Sequence, residues 1–232
     1  MTEAMQVVLV PGLAEDERFF DAQLPALRRH ANVTIGDHTR DESMAAIARR
    51  VLASVSGSFA LVGHSMGGYA AFEIVRQAPE RVSRLALLDT SALADTPAQG
   101  EARNQQIAIV RNGRYDEIPA MLFEKLVHPA RVADAALFER VERMALDIGG
   151  AGYVRQLTAI MHRVDSRASL ARIRCPTLVL VGDADAVTPP ERAQEIANGI
   201  AGSRFVTVPD CGHLCAMEQP DAVTAALVEW LQ

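Results

Sequence analysis

Long hydrophobic runs are missing from this sequence: no apolar stretch approaches the roughly 18 residues that a transmembrane helix needs, so no membrane span is expected. Blocks of like charge are missing too. The 29 acidic and 23 basic residues are interspersed and leave a formal net charge of −6, a balance that argues against nucleic acid or an anionic membrane as partner and for a small-molecule substrate. Cysteine is scarce. The three that occur, Cys175, Cys211 and Cys215, are an odd number in a chain too large to need disulfide staples, which predicts a reducing compartment, by default the cytoplasm. The cluster Cys211-Gly-His213-Leu-Cys215 lacks a second ligand pair and is tighter than zinc spacing, so no metal is expected. The chain also lacks internal repeats, low-complexity tracts and any linker-like stretch, which predicts one core within its 232 residues. The amino terminus, Met1 to Val10, is apolar from Met5, has no positively charged flank and runs into Pro11-Gly12; it reads as a first strand rather than a signal peptide.

What is present is an alternation. Runs rich in Val, Leu and Ile recur at Met5–Val10, Asn32–Gly36, Phe59–Gly63, Arg84–Asp89, Pro176–Gly182 and Arg204–Val208. Between them lie apolar residues at helical spacing, such as Ile47, Val51 and Val55, or Ala71, Val75 and Ala78. Buried strands separated by crossover helices predict an α/β fold with a mostly parallel sheet of about six strands flanked by helices. The interval from Asp89 to Pro176 breaks the rhythm. It carries helix-like pieces at Glu101–Val110, Asp116–Leu126, Ala133–Ile148 and Ala151–Arg163, punctuated by Gly113, Pro119, Pro129 and Gly149-Gly150. It is read as a helical cap, residues 96–173, inserted into a core of residues 1–95 and 174–232. Its apolar positions, among them Met121, Leu122 and Leu126, need a burial site, and with His64 these are candidate pocket residues.

Chemistry concentrates at Gly63-His64-Ser65-Met66-Gly67, which sits between a buried strand and a helix. The five-residue G-x-S-x-G pattern alone is weak; the strand before it and the helix after it make it a nucleophile elbow. There Ser65 is the candidate nucleophile, and the Met66 N–H at the helix start points toward negative charge on a bound carbonyl oxygen. Serine needs a base and a carboxylate to fix the base's tautomer. Of the downstream histidines, His128 and His162 fall in the cap, whereas His213 follows the last strand, where sites form in open α/β sheets. For the acid, Asp183, Asp185 and Asp89 all end strands; Asp185 is favoured, with Asp183 as a turn former capping backbone N–H groups.

The stretches Leu9-Val-Pro-Gly-Leu, Val62-Gly-His-Ser-Met-Gly-Gly, Leu87-Leu-Asp-Thr-Ser, Pro176 to Pro189 and Gly212-His-Leu-Cys-Ala-Met-Glu-Gln-Pro resemble the α/β-hydrolase superfamily in its lidded single-domain form. The resemblance spans the chain. It implies Asp185 as triad acid, His213 as base, and the backbone N–H of Leu13 as second oxyanion donor beside that of Met66. Pro11 stands where the family carries His, a change that a backbone donor survives, and the usual first antiparallel strand pair is absent from the pattern. The implied activity is hydrolysis of a small ester, thioester or lactone without metal or organic cofactor. The pattern is similar to esterases and to enol-lactonases, and an enol-lactonase or carbon–carbon bond hydrolase on a carboxylate-bearing substrate, or a non-catalytic binding protein, are the alternatives. An inward-facing arginine among Arg111, Arg114, Arg155 and Arg163 would favour the carboxylate-bearing class.

Overall fold

The computed structural model describes residues 5–232; residues 1–4, the start of the stretch read as lacking a signal peptide, lie outside them. The six apolar runs are strands: β1 (Gln6–Val10), β2 (Asn32–Ile35), β3 (Phe59–His64), β4 (Val82–Leu88), β5 (Thr177–Gly182) and β6 (Arg204–Val208). They form one sheet in the order β2-β1-β3-β4-β5-β6, with every neighbouring pair parallel. Because both faces are covered, the four central strands read as continuous apolar runs rather than as alternation, and β3 and β5 are buried throughout.

Successive side chains still go to opposite faces. Val8, Val10, Leu61, Leu85, Leu87, Val179 and Val181 pack with helices α1 (Met44–Ser54), α2 (Met66–Gln77) and, beyond β5, α6 (Pro190–Gly199). Val7, Leu9, Ala60, Val62, Ala86, Leu88, Leu178 and Leu180 pack on the other face with Phe19, Phe20 and the carboxyl-terminal α7 (Pro220–Leu231).

The longer helices between β4 and β5 are α3 (Pro97–Arg111), α4 (Ile118–Leu126) and α5 (Ala135–Met161). The first, read from Glu101 in the sequence, begins four residues earlier on a Thr96–Gln99 capping box with Pro97 in the first turn. The sequence reads two helices on either side of Gly149-Gly150; the chain forms one run of helix broken there, where Gly149 takes φ 73° and ψ 158°. A residue with a Cβ is disfavoured at that φ, so the kink is fixed by the glycine. No helix among the described residues is long and apolar enough to cross a membrane.

Candidate active site

A parallel sheet brings the carboxyl ends of all its strands to one edge, and the candidate residues follow those ends. Ser65 comes directly after β3, Asp185 shortly after β5, and His213 in the loop after β6. Ser65 has φ 50° and ψ −113°, outside the regions that a residue with a Cβ prefers. Hydrogen bonds hold it there: its N–H donates to the Leu88 carbonyl at 2.9 Å, and its own carbonyl accepts from the Thr90 hydroxyl at 2.8 Å and the Gly68 N–H at 2.9 Å.

The turn closes only because side chains are absent beside it. A Cβ on Gly67 would stand 1.9 Å from the Val10 carbonyl oxygen, and one on Gly63 would stand 2.4 Å from the carbonyl oxygen of Gly67. Both neighbours are backbone, which cannot swing aside. Gly67→Ala is therefore expected to lose about 1–3 kcal/mol or more through overpacking, a fall of roughly 2–12 °C in Tm for a chain of this size. Thermal unfolding of the purified variant measures it.

Ser65, His213 and Asp185 meet. His213 Nε2 lies 2.9 Å from Ser65 Oγ, and His213 Nδ1 lies 2.8 Å from Asp185 Oδ2. With Nδ1–H donating to the carboxylate, Nε2 is left to accept the Ser65 hydroxyl proton. Asp185 is itself fixed, its Oδ1 accepting from the N–H groups of Val187 and Thr188 at 2.8 and 2.9 Å and its Oδ2 from the Thr188 hydroxyl at 2.8 Å. Burial alone would raise the Asp185 carboxyl; the His213 charge, the hydrogen bond to it and the Thr188 donors outweigh burial and hold it below its ordinary range. For His213, burial pulls the imidazole down, but the charge and hydrogen bond of Asp185, with smaller contributions from Asp89 and Glu15, push it up to about 9.

The rejected acids sit elsewhere. Asp183 Oδ1 accepts from the Cys211 N–H at 3.1 Å, a backbone-capping role that reaches across to the loop after β6. Asp89 is fully buried, with Oδ1 on the Gly182 N–H at 2.8 Å and Oδ2 without a hydrogen-bond partner. Burial, then the Asp185 charge, push its carboxyl up to about 7. Of the two rejected histidines, His128 lends only its Nδ1 to the Ala130 N–H, and His162 ends α5.

A cavity of about 300 Å³ lies over Ser65 and His213, and Leu13 is in its wall. Among the described residues, the N–H groups of Leu13 and Met66 have no acceptor within the protein, which leaves both free for a ligand oxygen. Leu122 and Leu126 line the cavity as expected, but His64 and Met121 do not. Met121 is 54% exposed, one position around α4 from Leu122 and hence on its outer face. His64 is 0% exposed, stacked on Phe19 beneath the site.

The role of His64 lies in a network that the sequence did not disclose. Its Nε2 donates to the His213 carbonyl at 2.9 Å, and its Nδ1 lies within hydrogen-bond distance of Glu15 Oε2, at 2.8 Å. The same carboxyl oxygen accepts from the Gly12 N–H at 2.6 Å. One buried pair thus ties the loop after β1 to the loop carrying His213. A second tie comes from α5, where the fully buried Gln156 accepts from the N–H of Ala14, a residue held at φ 59° next to Leu13. Glu218 fastens the other side: its carboxylate accepts from the N–H groups of Gly212, Leu214 and His128. Fully buried acidic residues are rare unless paired, but only the folded chain shows which ones those are.

Comparison with known proteins accords with this geometry. Residues 7–226 match the model of the alpha/beta hydrolase family. A solved thermophilic esterase from Thermogutta terrifontis is 33% identical over 98% of this chain and 89% of its own, with a TM-score of 0.89. The enol-lactonase of Burkholderia xenovorans LB400, 22% identical over 99% of this chain and 92% of its own, has a TM-score of 0.88 and is a likeness of fold alone. The protein described as "Putative non-heme bromoperoxidase BpoC" of Mycobacterium tuberculosis is 28% identical over 175 residues, which are 73% of this chain and 66% of that protein, just under two thirds of its length. The chain belongs to the alpha/beta hydrolase family and is a hydrolase of that fold.

Proposed function

We propose that the protein is a serine hydrolase that cleaves a small carboxylic ester, thioester or lactone through an acyl-enzyme. The observation that carries this reading is the continuous relay from Ser65 Oγ through His213 to Asp185, at 2.9 and 2.8 Å, beneath an enclosed cavity. His213 Nε2 takes the hydroxyl proton as Ser65 Oγ attacks the carbonyl carbon, and Asp185 compensates the imidazolium that forms. The oxyanion lies between the Leu13 and Met66 N–H groups, donors of a kind whose individual loss costs about 10²- to 10³-fold in comparable sites. The proton on His213 passes to the leaving alcohol, thiol or ring oxygen. His213 then deprotonates water, which attacks the acyl carbon and returns Ser65 to its starting state.

Residues 96–173 act as the cap. Leu122 and Leu126 of α4 face the cavity, and the Leu126 carbonyl accepts from the His213 N–H at 2.9 Å, so the cap contributes to positioning the base. The 33% identical esterase supports an ester bond over the other linkages. A reducing compartment such as the cytoplasm suits the three unpaired cysteines.

Reaction with a fluorophosphonate tests the proposal. Wild-type protein should become modified at Ser65 within minutes, and the His213→Ala variant should not. A chain that had kept the fold only to bind ligands gives no adduct in either form, and that result removes the serine mechanism.

A further inference from the structure

The far wall of the cavity offers hydrogen-bond donors almost without acceptors. Arg103 and Gln106 lie three residues apart on α3, so they share a face, and with Tyr69 and Tyr153 they line the cavity that contains Ser65. Of the acceptors there, Gln106 Oε1 already takes the Tyr153 hydroxyl proton at 2.7 Å, and Glu15 Oε2 is engaged by the Gly12 N–H and His64. The donors are not: among the described residues, Arg103 Nη1, Gln106 Nε2 and the Tyr69 hydroxyl have no partner in the protein. Burial pushes the Tyr69 phenol up, so its proton stays in place to donate.

Charge points the same way. Asp95 lies behind this wall and is shared by two guanidiniums, with Arg103 Nε at 2.6 Å and Arg163 Nη1 at 2.5 Å. One negative charge between two positive ones leaves a net positive charge against the cavity. Arg163 has no further anion and lies on the Tyr69 ring, 4.2 Å from its centroid. The exposed Lys125 adds a second cation to the lining. With the lining Glu15 counted beside Asp95, the three cations Arg103, Arg163 and Lys125 still leave one net positive charge here in a chain of net charge −6, in a largely apolar space where charge acts most strongly. The arginines named from the sequence are not the ones that line the cavity. Arg114 pairs with Glu117 outside, Arg155 donates to the Thr39 carbonyl, and Arg163 works only through Asp95 and Tyr69.

We propose that the Arg103, Gln106 and Tyr69 end of the cavity binds a carboxylate carried by the substrate a few carbons from the scissile carbonyl, making the preferred substrate a half-ester or lactone of a short dicarboxylic acid. This rests on the reading of Ser65 as nucleophile. Tyr69, near the start of α2 just after Ser65, lines the same cavity of about 300 Å³, a space that suits a short acyl chain. The apolar wall between, with Ile118, Leu122 and Ile160, takes the methylenes.

Monomethyl adipate and methyl hexanoate have acyl chains of equal length and differ in the terminal carboxylate. Wild-type protein should favour the half-ester in kcat/KM, and raised salt should narrow the preference. In Arg103→Met the ratio of the two kcat/KM values should fall about 10- to 100-fold, mostly through KM, as for loss of hydrogen bonds to a charged group; Arg103→Lys should recover part of it. A measurement independent of any variant is inhibition of wild-type turnover of methyl hexanoate, competitive with adipate and absent with adipamide at the same concentration. If Ser65 is labelled by the fluorophosphonate and the neutral ester is cleaved as well as the half-ester, with no inhibition by adipate, the carboxylate site is wrong and the serine mechanism stands. If neither ester is cleaved and Ser65 is not labelled, the underlying mechanism fails and takes the site with it.

Discussion

Ser65→Ala is expected to lower kcat for any ester the protein hydrolyses by about 10⁶-fold, the size of effect measured when the serine of another Ser-His-Asp hydrolase is removed. The large figure follows from the geometry. The hydroxyl oxygen is both the atom that bonds to substrate and the atom whose proton His213 Nε2 accepts at 2.9 Å, so its loss removes attack and acid–base transfer together. No neighbouring group replaces it: Thr90 uses its hydroxyl on the Ser65 carbonyl, and the Cys215 thiol is fully buried, with a pKa that burial pushes well above the ordinary thiol range. Folding should be little changed, because the hydrogen bonds holding the turn are made by the Ser65 backbone. Single-turnover assays with a chromogenic ester, set beside thermal unfolding of both proteins, check the two halves of the expectation. A variant retaining more than about a tenth of wild-type kcat would place the nucleophile at another residue.

The parts of this protein legible from its sequence are those that repeat a local rule. Six runs of Val, Leu and Ile match six strands within two residues at each end; in the central strands burial on both faces selects such residues without alternation, whereas the part-exposed edge strands β2 and β6 also carry Asn32, Thr34, Arg204 and Thr207. The break at Gly149 is equally local, whereas the helix read from Glu101 begins four residues earlier, at Pro97 behind its Thr96 cap. Ser65, Asp185 and His213 could be ordered along the chain because each follows a strand, and a parallel sheet converts that shared position into proximity. What stayed hidden depends on facing across elements. The Glu15–His64 contact joins residues 49 apart, and the Ala14–Gln156 hydrogen bond joins residues 142 apart. No periodicity marks either. His64, a candidate pocket residue, ends β3, where successive side chains take opposite faces, and it turns into the base of the site. Met121 failed for the helical version of the same reason, since an amphipathic stretch shows that one face is buried without fixing which neighbour marks its edge. Arg103 escaped notice because its inward position is set by Asp95 rather than by its own surroundings in the chain.

Asp185→Asn should lower kcat by about 10⁴-fold at neutral pH, on the precedent of the equivalent change in a serine protease, where the wrong imidazole tautomer is stabilised. The pH profile should move as well, in a direction the electrostatics fix. As a general base His213 works in its neutral form, so activity rises as pH passes through its pKa; a pKa pushed up to about 9 puts that rise on the alkaline side of the ordinary histidine value. Removing the Asp185 charge takes away the largest contribution that opposes burial, so the rise in the residual activity should move to lower pH. Asp89 provides the contrast. It ends β4 near the same edge, and the sequence admitted it as the acid, yet its Oδ1 is committed to the Gly182 N–H and its carboxyl is pushed up to about 7 by burial. Its charge contributes to raising His213 without touching the ring. Asp89→Asn should therefore shift the rise modestly to lower pH and keep most of the maximal rate, whereas Asp185→Asn loses the rate and shifts the rise further. Complete pH–rate profiles of both variants distinguish the assignments, since exchange of these two outcomes would make Asp89 the residue that orients the base.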